Sequence, residues 1–141
     1  MRSLLDNNVV LDFLLNRNPF DVEAKEIFLL AANRKIEIFV ASITAVNAFY
    51  TIRKDKGKDI AFGAINGLIN LVNVCRTNRY ILRDALSLDF SDYEDAVQCA
   101  SAVAEGLDAI VTRNTKDFAN SPIPVYSPSE FLAFLQKQLV S

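Results

Sequence analysis

The sequence predicts an α/β fold, a three-layer sandwich in which a mostly parallel central sheet of four to five strands lies between helices. Three observations predict it. Short β-branched and aromatic runs alternate with longer stretches of helical spacing, the pattern of a parallel sheet covered on both faces. The chain has 141 residues, of which 51% are hydrophobic, enough for one sizeable core. Predicted strand and helix ends bring acidic residues to what should be a single sheet edge.

The elements follow in order. Ser3 to Leu5 reads as a short buried strand ending at Asp6. Val9, Val10, Phe13 and Leu14 have helical spacing, so a helix runs from Val9 to Leu15 until Asn16 to Pro19 break it. Asp21 is the expected N-cap of a second helix reaching Ala32. Ile36 to Ala41 is the second strand. A third helix starts at Ser42 or Ile43 and runs to Lys56, with Gly57 near its end. Ile60 to Asn70 is a fourth helix, Leu71 to Cys75 a third strand, and Arg79 to Leu88 a short helix. Ser91 and Glu94 have the spacing of a capping box, with Ser91 as N-cap of a helix that runs to Glu105 and closes at Gly106. Asp108 to Thr112 is the fourth strand, and a short fifth lies within Pro122 to Tyr126. Ser127-Pro128-Ser129-Glu130 is a second capping box, with proline at the first helical position of a last helix to about Leu139. No repeat, low-complexity segment or linker divides residues 1–141, which read as a single domain.

Composition removes whole classes of chemistry. Histidine is absent, which excludes Ser-His-Asp and Cys-His catalysis, His-ligated zinc and an imidazole base. The two cysteines, Cys75 and Cys99, sit among apolar residues and read as buried free thiols. A net charge of −2 gives no bulk attraction for nucleic acid, so any such binding needs a local patch or a metal. No membrane span or signal peptide is apparent, so a cytoplasmic location is the default expectation.

What remains is carboxylates. Asp6 follows the first strand, Asp92 and Asp95 open the small-residue helix, and Asp117 follows the fourth strand. In an open α/β sheet, residues just past the strand carboxyl ends converge on one crevice. Acids distant in sequence but gathered in space make a hard-oxygen site suited to Mg²⁺ or Mn²⁺. Each acid also has a purely structural reading. Asp6 can cap the following helix, Asp92 and Asp95 suit a helix N-terminus, and Asp117 can cap a turn. The combination favours the site, because Asp92 and Asp95 share a helix face and the alanines behind them allow close packing on the sheet.

Three segments resemble the PIN domain, the nuclease fold of the VapC-type toxins. They are Leu4-Leu5-Asp6-Asn7-Asn8-Val9-Val10-Leu11-Asp12, Asp92-Tyr93-Glu94-Asp95-Ala96, and Val111-Thr112-Arg113-Asn114-Thr115-Lys116-Asp117-Phe118. In this order they span nearly the whole chain. The resemblance implies a Mg²⁺- or Mn²⁺-dependent ribonuclease acting on RNA, commonly a homodimer and often inhibited by an antitoxin. It places the first acid on Asp6 and the third on Asp95, which with Asp117 would hold the metal. The fourth position varies and falls on Asn114 or Asp117, so both are candidates. The second acid, expected early in the third helix, is replaced by Asn47. An amide can accept a bond from a metal-bound water but brings no charge.

Asn8, Thr112 and Asp92 are candidates to orient the carboxylates. Arg113 and Lys116 flank the acidic edge and are candidates to contact RNA. A second basic group, Arg53, Lys54, Lys56 and Lys58, reads as a solvated helix end. Phe28, Phe49, Tyr50 and Phe62 suggest an apolar surplus suited to pairing with a second copy. The alternative to an enzyme is a catalytically weakened PIN-like module that binds RNA or protein, favoured by Asn47. A response-regulator receiver is disfavoured because no aspartate follows the third strand. A dinucleotide-binding fold is disfavoured because the first strand-to-helix turn has no glycine.

Overall fold

A computed structural model describes residues 1–140, and the side chains of residues 1–138. The strands are β1 (Arg2–Leu5), β2 (Glu37–Ala41), β3 (Asn73–Cys75), β4 (Ala109–Val111) and β5 (Val125–Tyr126). The helices are α1 (Asn7–Leu14), α2 (Asp21–Ala32), α3 (Ser42–Lys56), α4 (Lys58–Leu71), α5 (Arg79–Leu86), α6 (Tyr93–Ala104) and α7 (Pro128–Val140). A 3₁₀ turn covers Thr115–Phe118. The five strands form one sheet in the order β3-β2-β1-β4-β5, and every pair is parallel.

This order explains where a site can form. From β1 the chain steps to β2 and β3 on one side, then crosses to β4 and β5 on the other. The direction reverses between β1 and β4, and crossover connections on either side leave a crevice at their carboxyl ends. Asp6 leaves β1 at that point, and Thr112 leaves β4 beside it; the Asp6 amide donates to the Val111 carbonyl at 3.0 Å.

Burial on both faces follows from the apolar strands. One core joins Leu5, Val9, Val10, Ile27, Phe28, Ile38, Val40, Val111 and Phe131. The opposite face gathers Leu4, Phe39, Cys75, Cys99, Ile110 and Phe118. Along α6 the small side chains let the helix lie close: Ala96, Val97, Gln98, Cys99, Ala100, Ser101 and Ala102 are all buried. Cys75 and Cys99 are free and buried, and burial pushes the Cys75 thiol up to about 12.

Three expectations need correction. Asp21 is the first residue of α2 rather than its cap; Phe20 precedes it without a side-chain cap bond, and Asp21 pairs with Lys25 at 3.2 Å one turn on. Asp92, not Ser91, caps α6, because its carboxylate reaches the Asp95 amide at 2.9 Å and frees Glu94 from a capping box. Phe28 belongs to the core, stacked on Phe13, and is no part of an exposed apolar surplus. The second capping box forms as expected. The Ser127 amide donates to Glu130 at 2.8 Å, and the Glu130 amide donates to the Ser127 hydroxyl at 3.2 Å.

Candidate active site

Asp6 lies at the bottom of the crevice and is 5% exposed. Four neutral donors hold its carboxylate. The Asn7 backbone N–H at 2.6 Å and Gln98 Nε2 at 2.8 Å donate to Oδ1. Thr112 Oγ1 at 2.7 Å and Asn8 Nδ2 at 3.1 Å bind Oδ2. Asp6 therefore caps α1 and faces the site at once, so the structural and functional readings of this residue coexist. Thr112 also accepts from the Asn114 amide at 3.0 Å, which shapes the turn after β4.

Asp95 stands on the first turn of α6, with Asp92 capping the helix beneath it. Gln98, one turn further on, lies within reach of both acids: Nε2 is 2.8 Å from Asp6 and 3.5 Å from Asp95. Burial first, then the charges of Asp6, Asp92, Asp117 and Glu94, push the Asp95 carboxyl up to about 7. Asp117, whose charge contributes to that rise, is exposed on the 3₁₀ turn, which Phe118 anchors in the core. Asn114 is exposed and precedes that turn without a side-chain cap bond.

Glu94 turns inward. Its Oε2 accepts from Asn47 Nδ2 at 2.7 Å, and its Oε1 accepts from Asn7 Nδ2. Burial first, then Asp92 and Asp6, raise its carboxyl above the ordinary range, while the Asn47 bond lowers it. The amide at position 47 therefore reaches the acidic edge through Glu94.

Of the two basic candidates, Lys116 is exposed on the turn. Arg113 is already engaged. Its Nε donates to Asp12 Oδ2 at 2.7 Å and its Nη2 to Oδ1 at 3.3 Å, while its guanidinium lies 4.0 Å from the Phe20 ring centre. Asp12 is 1% exposed. Arg113 thus neutralises a buried carboxylate, and 27% of its side chain remains exposed.

Glu94, Gln98, Asn7 and Asp12 escape a residue-by-residue reading. Glu94 is disguised by its capping-box spacing. Gln98 carries a usable signal, a lone amide three residues after Asp95 in a helix of small side chains, on the face the acid shares.

Among the described residues, no lysine or arginine forms an ion pair with Asp6, Asp92, Glu94, Asp95 or Asp117. Carboxylates and amides without a counter-charge suit a hard cation. The buried Asn7 Oδ1, an acceptor with no partner among the described residues, points the same way. Among those residues, no three acidic side chains close on one point at ligating distance. Mg²⁺ does not require that, since it is held through one or two carboxylates and keeps several waters. The donor set fits such an ion.

Comparison with known proteins settles the family. The PIN domain model matches residues 2–116, which contain both strand ends and the whole acidic edge except Asp117. The chain belongs to the PIN domain family. Among curated proteins, none matches it significantly. Several solved structures share its fold. A DNA-bound VapBC complex from Salmonella typhimurium superposes with a TM-score of 0.71 at 19% identity, covering 91% of this chain and 98% of the other. A toxin-antitoxin complex from Klebsiella pneumoniae gives 0.66 at 24% identity, covering 89% and 97%. A Mycobacterium tuberculosis VapC toxin that cleaves the sarcin-ricin loop gives 0.63 at 13% identity, covering 77% and 86%. These identities are low, and the likeness is one of fold. Among the described residues, no helix is long and apolar enough to cross a membrane.

Proposed function

We propose that this PIN domain protein is a divalent-metal-dependent endoribonuclease, the toxin of a toxin-antitoxin pair. The observation that carries the reading is the set of carboxylates at the sheet's switch point, with Asp95 pushed up to about 7 by burial and by its acidic neighbours and with no cation paired to it among the described residues. Such repulsion is what a divalent cation relieves. Asp6 and Asp95 would hold Mg²⁺ or Mn²⁺, with Asp117 reaching it through the ion's waters, and the ion when bound supplies an activated water and neutralises charge on a phosphodiester under attack.

The chain's own residues prepare that chemistry. Asn8, Thr112 and Gln98 orient the Asp6 carboxylate through neutral hydrogen bonds. Asp92 anchors the first turn of α6 and so the backbone of Asp95. Lys116, exposed beside Asp117, would meet the RNA backbone, and the free part of Arg113 would assist it. Asn114, exposed between β4 and the 3₁₀ turn, would contact RNA or a bound water.

The antitoxin partner is inferred from the solved relatives, several of which are toxin-antitoxin complexes. Pairing with a second copy is inferred from the α3–α4 hairpin, where Tyr50, Ile60 and Phe62 are exposed and Phe49 packs against Tyr50 and Phe62. Asn47 is what favours a non-catalytic RNA- or protein-binding module instead. One assay separates the two. Incubation with structured RNA and Mn²⁺ should give cleavage that Asp95→Ala and EDTA both abolish. RNA retention without cleavage, unaffected by Mn²⁺, would establish the binding module.

A further inference from the structure

Asn47 stands where the resemblance to the PIN domain implies an acid, but the structure brings a carboxylate to that place, since Glu94 accepts from the Asn47 side chain. A helix-opening glutamate at the third position of a capping box normally folds back onto its own N-cap. Glu94 does not. With Asp92 as the cap, Glu94 is released and its two oxygens are each taken by an amide from a different element, Asn7 at the start of α1 and Asn47 in α3. No surface requirement explains this arrangement. Side-chain amides are weaker partners for a carboxylate than lysine or arginine, and they leave its charge in place. Two of them orient the group while preserving its negative charge beside Asp6 and Asp95. The Asn7 amide that holds Glu94 also carries the buried Oδ1, which has no partner among the described residues. One side chain therefore positions a carboxylate and keeps a buried acceptor with no partner among the described residues. Position 47 also has to be an amide for this purpose, since a second carboxylate 2.7 Å from Glu94 would be repelled.

We propose that Glu94 is a metal-facing carboxylate of this site, with Asn47 and Asn7 as its positioning residues, so that the charge absent from α3 is supplied from α6. The inference rests on the metal-dependent reading above and adds a residue to it. It also predicts reciprocity: acid and amide should be exchangeable between the two helices.

The test is Mn²⁺ binding by the full chain, followed through the paramagnetic resonance signal of free Mn²⁺, with melting curves recorded in EDTA. Glu94→Gln should weaken Mn²⁺ binding about tenfold, the scale on which residues supporting metal ligands act. Asn47→Ala should weaken it by a smaller factor, because Asn7 still holds the other oxygen of Glu94. The double variant carrying Asn47→Glu and Glu94→Gln together should recover affinity to within about threefold of the unaltered chain, because the amide introduced on α6 can then hold the carboxylate introduced on α3. A Glu94→Gln protein that melts at a lower temperature but binds Mn²⁺ unchanged would make Glu94 a structural clamp and overturn the proposal, leaving the metal site standing. Failure of the double variant to recover, with its melting curve intact, would overturn the exchange of roles. An unaltered chain that binds no Mn²⁺ would overturn both the metal-dependent reading and this one.

Discussion

Gln98 Nε2 donates to Asp6 Oδ1 at 2.8 Å across 92 positions of sequence, and the same nitrogen lies 3.5 Å from Asp95 Oδ1. Its other end accepts from Thr44 Oγ1 at 3.4 Å, so one fully buried amide ties the end of β1, α3 and α6 together beneath the acidic edge. The spacing of Asp6 and Asp95 is thereby set by a neutral side chain, which orients both acids without quenching the charge of either.

Gln98→Leu removes that tie while keeping the volume similar. Asp6 loses a donor in a buried setting and Thr44 loses its acceptor. The expected loss is about 1–3 kcal/mol, the cost of leaving a buried polar group unsatisfied. Urea unfolding of the two proteins at neutral pH measures it. A midpoint equal to that of the unaltered chain would show that Asp6 finds another donor.

The metal-free protein should lose stability as pH rises from about 4 to about 7. Asp95 in the fold titrates near 7 against an ordinary 3.8, so between those values the unfolded chain has released a proton that the fold retains. Below that window both states are protonated and the penalty vanishes; above it the penalty is complete. Glu94, raised by burial in the same sense, adds to the trend. Asp95→Asn should therefore be the more stable protein at pH 8 in EDTA, by about 1–2 kcal/mol once solvent screening of a partly exposed group is allowed for, and no more stable at pH 4. Thermal melts of both proteins across that range decide it; parallel curves would contradict the raised carboxyl.

Arg113 should matter first for stability. Removing it by Arg113→Ala leaves Asp12 buried, with only Arg17 at 4.0 Å in partial compensation. The loss should be about 3 kcal/mol, at the low end for breaking a buried ion pair. Arg113→Lys should recover only part of it, since an ammonium cannot make both bonds and stack on Phe20. Chemical denaturation of the pair provides the measurement, and a loss below about 1 kcal/mol would class the pair with surface salt bridges.

The two candidates after β4 should separate. Asp117 acts on Asp95 through its charge, whereas Asn114 lies exposed with no side-chain cap bond to the turn it precedes. Asp117→Asn should weaken Mn²⁺ binding about five- to thirtyfold, the equivalent of about 1–2 kcal/mol, and Asn114→Ala should change it less than about twofold on the same scale. Calorimetric titration with Mn²⁺ distinguishes them. The reverse order would move the fourth position to Asn114.

Much of this protein was decided by local patterning. Alternating periodicities set the order of strands and helices, and the apolar strands required cover on both faces, so the parallel sheet followed. Ser127 and Glu130 specified the start of α7 because a capping box closes within one turn. Asp6, Asp95 and Asp117 could be expected at one edge because strand direction and crossover rules carry strand ends to the same side. The partners of those acids were not legible in this way. Asn7 with Glu94, Asn47 with Glu94, Gln98 with Asp6, and Arg113 with Asp12 join residues 47 to 101 positions apart. Their meeting depends on how each helix lands on the sheet and rotates about its own axis. A rotation of one residue, about 100°, would point Glu94 or Gln98 away from the edge. The choice between Ser91 and Asp92 as cap is of the same kind. Either side chain can cap α6 locally, and only the tertiary demand for Glu94 at the carboxylate edge accompanies the choice of Asp92.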